Sequence, residues 1–397
     1  MLDKLSTHLD EMIRPILDVV TPSVSLMAIL RGEAIVHQAW GWVDPETQKI
    51  PVTTETLFDL ASVTKLFTVT AFLQQVSAGR VTLNTPLVDI IPEFGLLNPR
   101  PMDGGQDPHS KEVLPIPDAV KGKWVDPAQV NFFHLLTHTS GLPAWRDVFN
   151  AAGPAPVPPT QFDPIARAER WARGLSAIYS YAFVAQPGEK VIYSDIGLML
   201  LGEAVTRLTR QPLDVAIREY VTMPLGLSSP TFNPLQNSVA QANIAPTEND
   251  PKWRKRRCWG EVHDENACGV GGVAGHAGLF AEVSDVATFG QAWLSHDPRL
   301  NIDPNFMAEA VCEQAETDGI RKGLGWMIKA TDGSSAGEFM DISTYGHTGF
   351  TGTSLFIDPT KGLAVALLTN SVYPGREVPG TFELRHDVHN LIGKVAG

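Results

Sequence analysis

The alternation of hydrophobic and polar residues predicts β-strands near both ends of the chain. The run SVSLMAIL at 23–30, the turn RGE and the run AIVHQAWGWV at 34–43 indicate two strands around a tight turn. Near the other end, TSLFIDPTKGLAVALLTN at 353–370 contains two strand-like runs around the turn residues DPTKG. Leucine and isoleucine at helical spacing predict a first helix over 3–18, and a last helix is expected over about 380–394.

The middle of the chain is predicted to be helical. Periodicity and capping residues indicate helices from Ser62 to about Ala78, and over 163–176, 196–208 and 212–222. Irregular segments interrupt them at 96–127, which is rich in proline, glycine and aspartate, and from Ala151. Strands at both ends with helices between them predict an α+β chain whose single sheet is built from both termini, because the βαβ alternation of a parallel sheet is absent.

Composition and charge exclude several classes of function. The 397 residues are 43% hydrophobic and carry a formal net charge of −13. An acidic surface repels phosphate backbones and anionic headgroups, so we expect no nucleic-acid partner and no membrane-surface binding. The basic run KWRKRRCW at 252–259 is the exception. We expect it to be a solvated loop, with a cationic wall beside a substrate cleft as the alternative.

The expected location is cytoplasmic. No stretch of about 18 apolar residues occurs, so no membrane span is expected. The first residues mix charges with leucines and lack the uninterrupted apolar core of a signal peptide. The odd number of cysteines, three, fits reduced thiols rather than a disulfide framework.

Ser62 and Lys65 are the first candidates for chemistry, in the stretch FDLASVTKLFTV at 58–69. Residues three apart share a helix face, and a serine at a helix N-terminus lies beside unpaired backbone N–H groups, which favours a nucleophile and an oxyanion. The alternative is an ordinary serine at a helix start with an incidental lysine. A serine and a lysine at this spacing occur by chance about once in a chain of this length, so the pair alone is weak evidence.

Two later stretches carry further candidates. In PGEKVIYSDIGLMLLGEAV, from Pro187, Tyr193 precedes a helix and could face a cleft or pack in the core, and Asp195 could be a helix N-cap. In YGHTGFTGTSLFIDP, from Tyr345, His347 is either a substrate-facing donor or a loop histidine. The closely spaced glycines of that run indicate a bulge or a close approach to the backbone.

Taken together, SVTK, YSD and HTG resemble the three signature elements of the serine β-lactamase and penicillin-binding protein superfamily. The flanking sequences HLLTHTSGLP at 134–143 and VHDENACGVGGVAGHAGLFAEVSDVATF from Val262 are similar to its class C-like, esterase-rich branch. The resemblance implies a β-lactamase/transpeptidase-like fold in a single domain, 1–397. We expect an α/β subdomain of residues 1–60 and 262–397, a helical subdomain of 61–261, and an active site between them.

The resemblance also implies roles for individual residues. Ser62 would be the acyl-forming nucleophile, Lys65 its proton partner, and Tyr193 the base that also protonates the leaving group. The backbone N–H groups of Ser62 and Phe350 would form the oxyanion hole. The substrate-binding positions would be Asp195, His347, Thr348 and Gly349, and no cofactor or metal is expected.

Two departures from the family pattern bear on the substrate. Asp195 stands where asparagine is usual, and His347 stands where lysine is usual. A histidine that is partly charged near neutral pH is a weaker anion site than lysine, and Asp195 would repel a carboxylate and keep Lys65 protonated. Ester hydrolysis remains possible, so we expect a serine carboxylesterase acting on small esters, with a small-molecule ester or amide as its partner. The alternatives are a D-Ala-D-Ala carboxypeptidase, a β-lactamase, or a non-catalytic penicillin-binding or sensor protein.

Two histidine patterns could suggest a metal. HLLTH places His134 and His138 four residues apart, but the glutamate of a zinc-binding H-E-x-x-H is missing. HDEN at 263–266, with His276 nearby, is expected to form a loop network at the mouth of the site rather than a metal centre. G-x-S-x-G does not occur, which argues against an α/β-hydrolase.

Overall fold

The computed structural model describes residues 2–17 and 19–397. Its largest sheet has eight antiparallel strands in the order β10-β11-β12-β13-β14-β15-β1-β2, so the last strand of the chain pairs with the first. The strands are β1 Ser23–Leu30, β2 Glu33–Gly41, β3 Phe58–Asp59, β4 Arg100–Pro101, β5 Trp124–Val125, β6 Thr231–Phe232, β7 Asn249–Asp250, β8 Arg256–Arg257, β9 Leu279–Ala281, β10 Ala315–Thr317, β11 Ile320–Lys322, β12 Met327–Ile328, β13 Tyr345–Thr348, β14 Ser354–Asp358 and β15 Leu363–Thr369. The prediction of one antiparallel sheet built from both termini is confirmed.

Helices pack on both faces of this sheet. Most of them lie in the sequence between the N-terminal strands β1 and β2 and the C-terminal strands β10–β15. They are α1 Leu2–Ile13, α2 Thr64–Ser77, α3 Leu87–Ile90, α4 Phe132–Leu136, α5 Val148–Ala152, α6 Arg167–Ile178, α7 Asp195–Thr209, α8 Leu213–Ile217, α9 Met223–Leu225, α10 Glu265–Gly269, α11 Val283–Leu294, α12 Pro304–Ala310 and α13 Thr381–Val395. Among the described residues, no helix combines the length and the hydrophobicity needed to cross a bilayer.

Alternation along β15 explains why the sheet is covered on both faces. Leu363, Val365 and Leu367 pack into a core formed with α1 and α13, whereas the alternate residues Ala364, Ala366 and Leu368 pack into the larger core. Successive side chains of a strand point to opposite faces, so a strand with no polar position is buried on both. Helix α11 covers the second face through contacts with β1, β14 and β15.

Helix α2 runs through the larger core. Every residue from Thr64 to Gln75 is buried, and Phe67 stacks on Phe289 of α11 with ring centroids 4.2 Å apart. A helix that is buried on all sides has a fixed position. The residues at its N-terminal end, which include Ser62 and Lys65, are therefore placed rigidly relative to the sheet.

Some element boundaries differ from the prediction. The first helix ends at Ile13 and continues as a 3₁₀ turn over Arg14–Ile16, because Pro15 has no N–H to donate and its ring clashes with the preceding helical turn. The predicted end at residue 18 lies outside the described residues. The helix expected over 212–222 is α8 followed by a π-helical turn over Arg218–Thr222. The subdomain division at residues 60 and 262 stays a prediction.

Candidate active site

The turn that carries Ser62 is held in an unusual backbone conformation. Ser62 lies in a 3₁₀ turn, Ala61–Val63, just before α2, and Ala61 has a φ of +45°. A left-handed conformation costs a non-glycine residue about 1 kcal/mol or more. The buried carboxylate of Asp59 accepts the Ala61 N–H at 2.9 Å and the His263 N–H at 2.6 Å, so it ties the turn to the HDEN segment. Burial raises the pKa of Asp59 to about 6.

Two side chains, those of Lys65 and Tyr193, converge on Ser62. Its Oγ accepts hydrogen bonds from Nζ of Lys65 and from the hydroxyl of Tyr193, each at 2.8 Å. Lys65 and Tyr193 also contact each other, with Nζ 4.9 Å from the centre of the tyrosine ring. The structure therefore brings together the residues of the first and second motifs, which are about 130 positions apart in the sequence.

Lys65 is held as an ammonium. Its Nζ lies 2.8 Å from Oδ1 of Asp195 and donates to the carbonyl oxygen of His276 at 3.0 Å. Burial opposes the charge, but Asp195 and Tyr193 outweigh burial and raise the pKa of Lys65 above its ordinary value. The alternative role of Asp195 as an N-cap is wrong. Ser194 is the cap of α7, because its Oγ accepts the Gly197 N–H at 3.1 Å, and Asp195 is left to pair with Lys65.

Tyr193 is a neutral phenol, and the segment HLLTHTSGLP at 134–143 holds it in place. Burial raises its pKa, and the nearby Lys65 only partly offsets that effect. The ring packs on His138 at 4.8 Å, and Nδ1 of His138 accepts the Ser194 N–H at 3.0 Å. Asn131 caps α4 by accepting the His134 N–H, and Nδ1 of His134 accepts the Asn131 N–H in return. Both histidines of this stretch are therefore structural supports.

His347 is a buried, neutral histidine on β13. Its Nδ1 donates to the carbonyl of Thr348 at 2.7 Å, and its Nε2 has no partner among the described residues. Burial, together with the charges of Lys65 and Lys322, holds the pKa of His347 well below its usual range. The expectation of a partly charged histidine is therefore wrong. Thr348 and Gly349 follow His347 and line the same pocket.

The glycines on either side of His347 allow close backbone contacts, Gly349 with the serine turn and Gly346 with β14. A Cβ atom on Gly349 would lie 2.6 Å from the carbonyl oxygen of Leu60, and one on Gly346 would lie 2.0 Å from that of Leu355. The predicted close approach to the backbone is thus observed. In the described chain no acceptor takes the N–H of Phe350, the next residue, so this amide is free to bind an oxyanion.

Arg385 of α13 holds this turn from the other side. Its guanidinium donates to the carbonyl oxygens of Gly349, Gly352 and Thr353 at 2.5, 3.2 and 3.0 Å. Burial lowers the pKa of Arg385 to about 10, so it remains charged near neutral pH.

Two pockets open on Ser62 and share Tyr193, Phe350 and Arg376. The first, which we call the aromatic pocket, has a volume of about 260 Å³ and is lined in part by His109, Trp145, His263, Asp264 and His276. The second, which we call the lysine pocket, has a volume of about 670 Å³ and is lined in part by Ile320, Lys322, Met327, His347, Phe382 and Arg385. With Ser62 between them, the two pockets can each bind one half of a substrate, on either side of the carbonyl that reacts with Ser62.

Sequence reasoning missed Lys322 as a residue of the site. It is 3% exposed, and its Nζ lies 5.2 Å from the centre of the Tyr193 ring. Burial and the charge of Lys65 lower the pKa of Lys322 to about 7. Lys322 belongs to no motif and follows the exposed Ile320 by two positions on a short strand, so no signal in the sequence indicated its burial.

The HDEN segment is part of the aromatic pocket, as expected. Nε2 of His276 lies 2.9 Å from Oδ1 of Asp264. The backbone carbonyl of His276 accepts a hydrogen bond from Nζ of Lys65. The His263 ring stacks on Phe350, with centroids 5.6 Å apart. The irregular segment 96–127 also reaches this pocket, because Lys111 pairs with Glu265 at 2.8 Å and His109 lines the wall.

The basic run 252–259 is neither the solvated loop nor the cationic wall that were considered. Arg254 is buried and donates to the carbonyl of His263 at 2.7 Å. Arg256 pairs with Glu261 at 2.8 Å, and Arg257 lies 3.8 Å over the ring of Tyr373. These arginines tie loops together behind the site, and only the lysines of the run are exposed.

The chain is similar to known proteins in both sequence and fold. A family model described as "Beta-lactamase" matches residues 9–390. A protein of Escherichia coli K12 named "Putative D-alanyl-D-alanine carboxypeptidase" is 32% identical over 385 residues, which are 91% of this chain and 81% of that protein.

Two solved structures share the fold at lower identity. EstCE1, described as a hydrolase with promiscuous acyltransferase activity, superposes with a TM-score of 0.71 and 20% identity over 99% of both chains. The simvastatin synthase of Aspergillus terreus also gives a TM-score of 0.71 and 20% identity, over 98% of both chains. At these identities the two structures establish the shared fold alone.

Proposed function

This chain belongs to the beta-lactamase family, and on that premise we propose that Ser62 is the nucleophile of a serine carboxylesterase acting on small esters. The observation that carries the proposal is the convergence of Lys65 and Tyr193 on Ser62 Oγ at 2.8 Å each, between two pockets.

Tyr193 acts as a proton relay in this proposal. As Ser62 Oγ bonds to the ester carbonyl carbon, its proton passes to the Tyr193 oxygen, and the phenol proton passes to the leaving alcohol as the C–O bond breaks. No net deprotonation of Tyr193 is needed, and the ammonium of Lys65 stabilises the transient negative charge on the phenol oxygen. Water then attacks the acyl-enzyme by the reverse relay and releases the acid.

The oxyanion forms beside the backbone N–H groups of Ser62 and Phe350. The free Phe350 amide and the position of Ser62 just before α2 support this role. Asp195 contributes indirectly, because it keeps Lys65 charged. Thr348 and Gly349 form part of the wall that the substrate contacts.

Ester hydrolysis is the reaction that this set of residues supports best. It needs a nucleophile, a relay and an oxyanion site, and the arrangement of Lys65, Tyr193 and the Phe350 amide around Ser62 supports these roles. The neutral His347 gives no charge to the third motif itself, so any cation for a substrate carboxylate must come from another residue of the lysine pocket.

A second candidate is a D-Ala-D-Ala carboxypeptidase. The name of the Escherichia coli relative, at 32% identity, favours it. The two candidates differ in the leaving group, so release of D-alanine from a peptide ending in D-Ala-D-Ala, measured beside hydrolysis of p-nitrophenyl acetate, separates them. We expect the ester to be hydrolysed and D-alanine release to be absent or slower by orders of magnitude in kcat/KM.

The nucleophile is tested by replacing it. Ser62→Ala should abolish hydrolysis of p-nitrophenyl acetate and butyrate and labelling by a fluorophosphonate. Ser295→Ala, at an exposed position away from both pockets, is the matched control and should keep both. Full activity of Ser62→Ala would overturn the proposal.

A further inference from the structure

Lys322 is a buried lysine that no other side chain neutralises. Among residues 2–17 and 19–397, no carboxylate lies within ion-pair distance of its Nζ and no acceptor takes a hydrogen bond from it. It sits at the end of β11 in the wall of the lysine pocket, which also contains Ser62. Charged side chains are rarely buried without a partner, because desolvation is costly.

The other charges around this pocket are already balanced or committed. Lys65 is paired with Asp195, and Arg376 is paired with Glu248 and Glu265. His347 and His138 are neutral. Arg385 also lacks a carboxylate partner, but its donors are used by three backbone carbonyls.

Three cationic side chains, Lys322, Arg376 and Arg385, line the pocket and no carboxylate of the described residues does, in a chain whose formal charge is −13. Its rim is apolar where Ile320 and Phe382 are exposed, at 49% and 46%. A pocket whose wall holds an unpaired ammonium and whose exposed edge is apolar is complementary to an organic anion rather than to an uncharged substrate group.

We propose that Lys322 binds a carboxylate on the leaving group of the substrate, so that the preferred substrates are esters of carboxylate-bearing alcohols or phenols. The side is assigned by Tyr193. Nζ of Lys322 lies 5.2 Å from the tyrosine ring, and Tyr193 is the residue that would protonate the leaving oxygen. The inference rests on the proposed esterase function, and it makes Lys322 a residue that determines specificity.

The experiment compares two esters that transfer the same acetyl group. 3-Acetoxybenzoate carries a carboxylate on its leaving phenol, and methyl 3-acetoxybenzoate does not. Both form the same acetyl-enzyme, so the ratio of their kcat/KM values, corrected for their rates of hydrolysis by hydroxide, reports acylation alone. We expect the wild-type ratio to favour the carboxylate by about tenfold or more, as for a charge-assisted hydrogen bond.

Lys322→Met should bring this ratio to about one or below, because the ammonium is lost while chain length is kept. Lys322→Arg keeps the charge and should retain a preference for the carboxylate. Lys329→Met is the matched control, since Lys329 donates to backbone carbonyls outside both pockets and its replacement should leave the ratio unchanged.

The contrary outcomes are distinct. A wild-type ratio near one, or an unchanged ratio in Lys322→Met, overturns the role of Lys322. A preference for monophenyl succinate over phenyl methyl succinate that Lys322→Met abolishes would put the anion on the acyl side and overturn the leaving-group assignment. Failure of the esterase function itself would appear differently, as equal turnover of both acetoxybenzoates by wild type and Ser62→Ala.

Discussion

At the scale of single residues, Asp195 determines how the proton relay is charged. It lies 2.8 Å from Lys65 and raises the pKa of that lysine against the effect of burial. An asparagine there would leave the ammonium with neutral partners. The identity of this one residue therefore separates a mechanism in which Lys65 stays charged from one in which it acts as a neutral base.

Asp195→Asn tests that distinction. The pKa of Lys65 should fall, so if the ammonium is required, the basic limb of the kcat/KM profile for p-nitrophenyl acetate should move to lower pH. If Lys65 were the base, the acidic limb would move to lower pH instead and activity near neutral pH would rise. Asp214→Asn, which removes a surface partner of Arg167, should leave both limbs in place.

Tyr193→Phe removes the relay but keeps the ring. The expected loss of kcat/KM is about 10²–10⁴-fold, which is typical for a general acid–base group. A loss below about tenfold, or about 1.4 kcal/mol, would exclude Tyr193 from the relay. Tyr179→Phe is the control, because the Tyr179 hydroxyl is outside both pockets.

Lys322 also makes a prediction about stability. Its pKa is lowered from 10.5 to about 7 in the folded protein, so the folded state binds this proton more weakly than the unfolded state. The charged form therefore opposes folding fully below pH 7, and the penalty disappears as the pH rises from 7 to 10.5. The charged or titratable groups around it are Lys65, Tyr193, His138, His347, Arg376 and Arg385.

Lys322→Met should accordingly be more stable than wild type, by about 1–2 kcal/mol at pH 6. The difference should shrink toward pH 10, and urea unfolding at the two pH values measures it. Equal stability at pH 6 would show that the lysine is not desolvated in the free protein.

The candidate residues could be found from sequence to different extents. Ser62, Lys65 and Tyr193 belong to motifs that resemble the signature elements of a known superfamily, and that resemblance, rather than spacing alone, pointed to them. Lys322 belongs to none, and its importance rests on burial and on the lack of a carboxylate nearby, which only the folded arrangement determines. The low pKa of His347 likewise depends on its burial and on two lysines that approach it from other elements.

At the scale of elements, the turn after β13 connects the sheet to the serine turn. Gly349 packs against the Leu60 carbonyl, Thr353 Oγ1 donates to the same oxygen at 2.9 Å, and Arg385 holds the turn from α13. The Phe350 amide is therefore positioned by contacts from three parts of the chain.

Gly349→Ala should displace this turn. The new Cβ would lie 2.6 Å from a backbone oxygen, which must move. We expect kcat with p-nitrophenyl acetate to fall about tenfold or more, as when an oxyanion donor is misplaced, with a smaller change in KM. Gly197→Ala is the control, because its Cβ would meet only ordinary contacts at 3.6 Å or more. Unchanged kcat in Gly349→Ala would argue against the Phe350 amide as a donor.

Element types were easier to predict than their ends. The hairpin of β14 and β15 and the helices α2, α7 and α13 lie close to the predicted positions, because their patterns are strong. The first helix was predicted too long, since periodicity does not register the missing donor of Pro15. The short strands β4 and β5 within 96–127 carry too few residues for a pattern.

At the scale of the whole molecule, the order of elements implied a sheet from both termini, and β1 does pair with β15. The strand order could not be read from local patterns. In the sheet β12 separates β11 from β13, and the two-residue strand β12 carries no pattern of its own. That order places Lys322 and His347 in the wall of one pocket. Lys322 makes this pocket cationic in an acidic protein. The net charge of the chain led us to expect no nucleic-acid partner. It gave no information about the charge of the cleft.

The most direct test of the central claim is to trap the acyl-enzyme. The protein is mixed with excess p-nitrophenyl acetate, quenched with acid within the first turnovers, and analysed by intact-mass and peptide mass spectrometry. The account predicts a single acetyl group on the peptide containing Ser62, present in wild type and in Ser295→Ala and absent in Ser62→Ala. An acetyl group on any other residue, or turnover by Ser62→Ala at the wild-type rate, would contradict it.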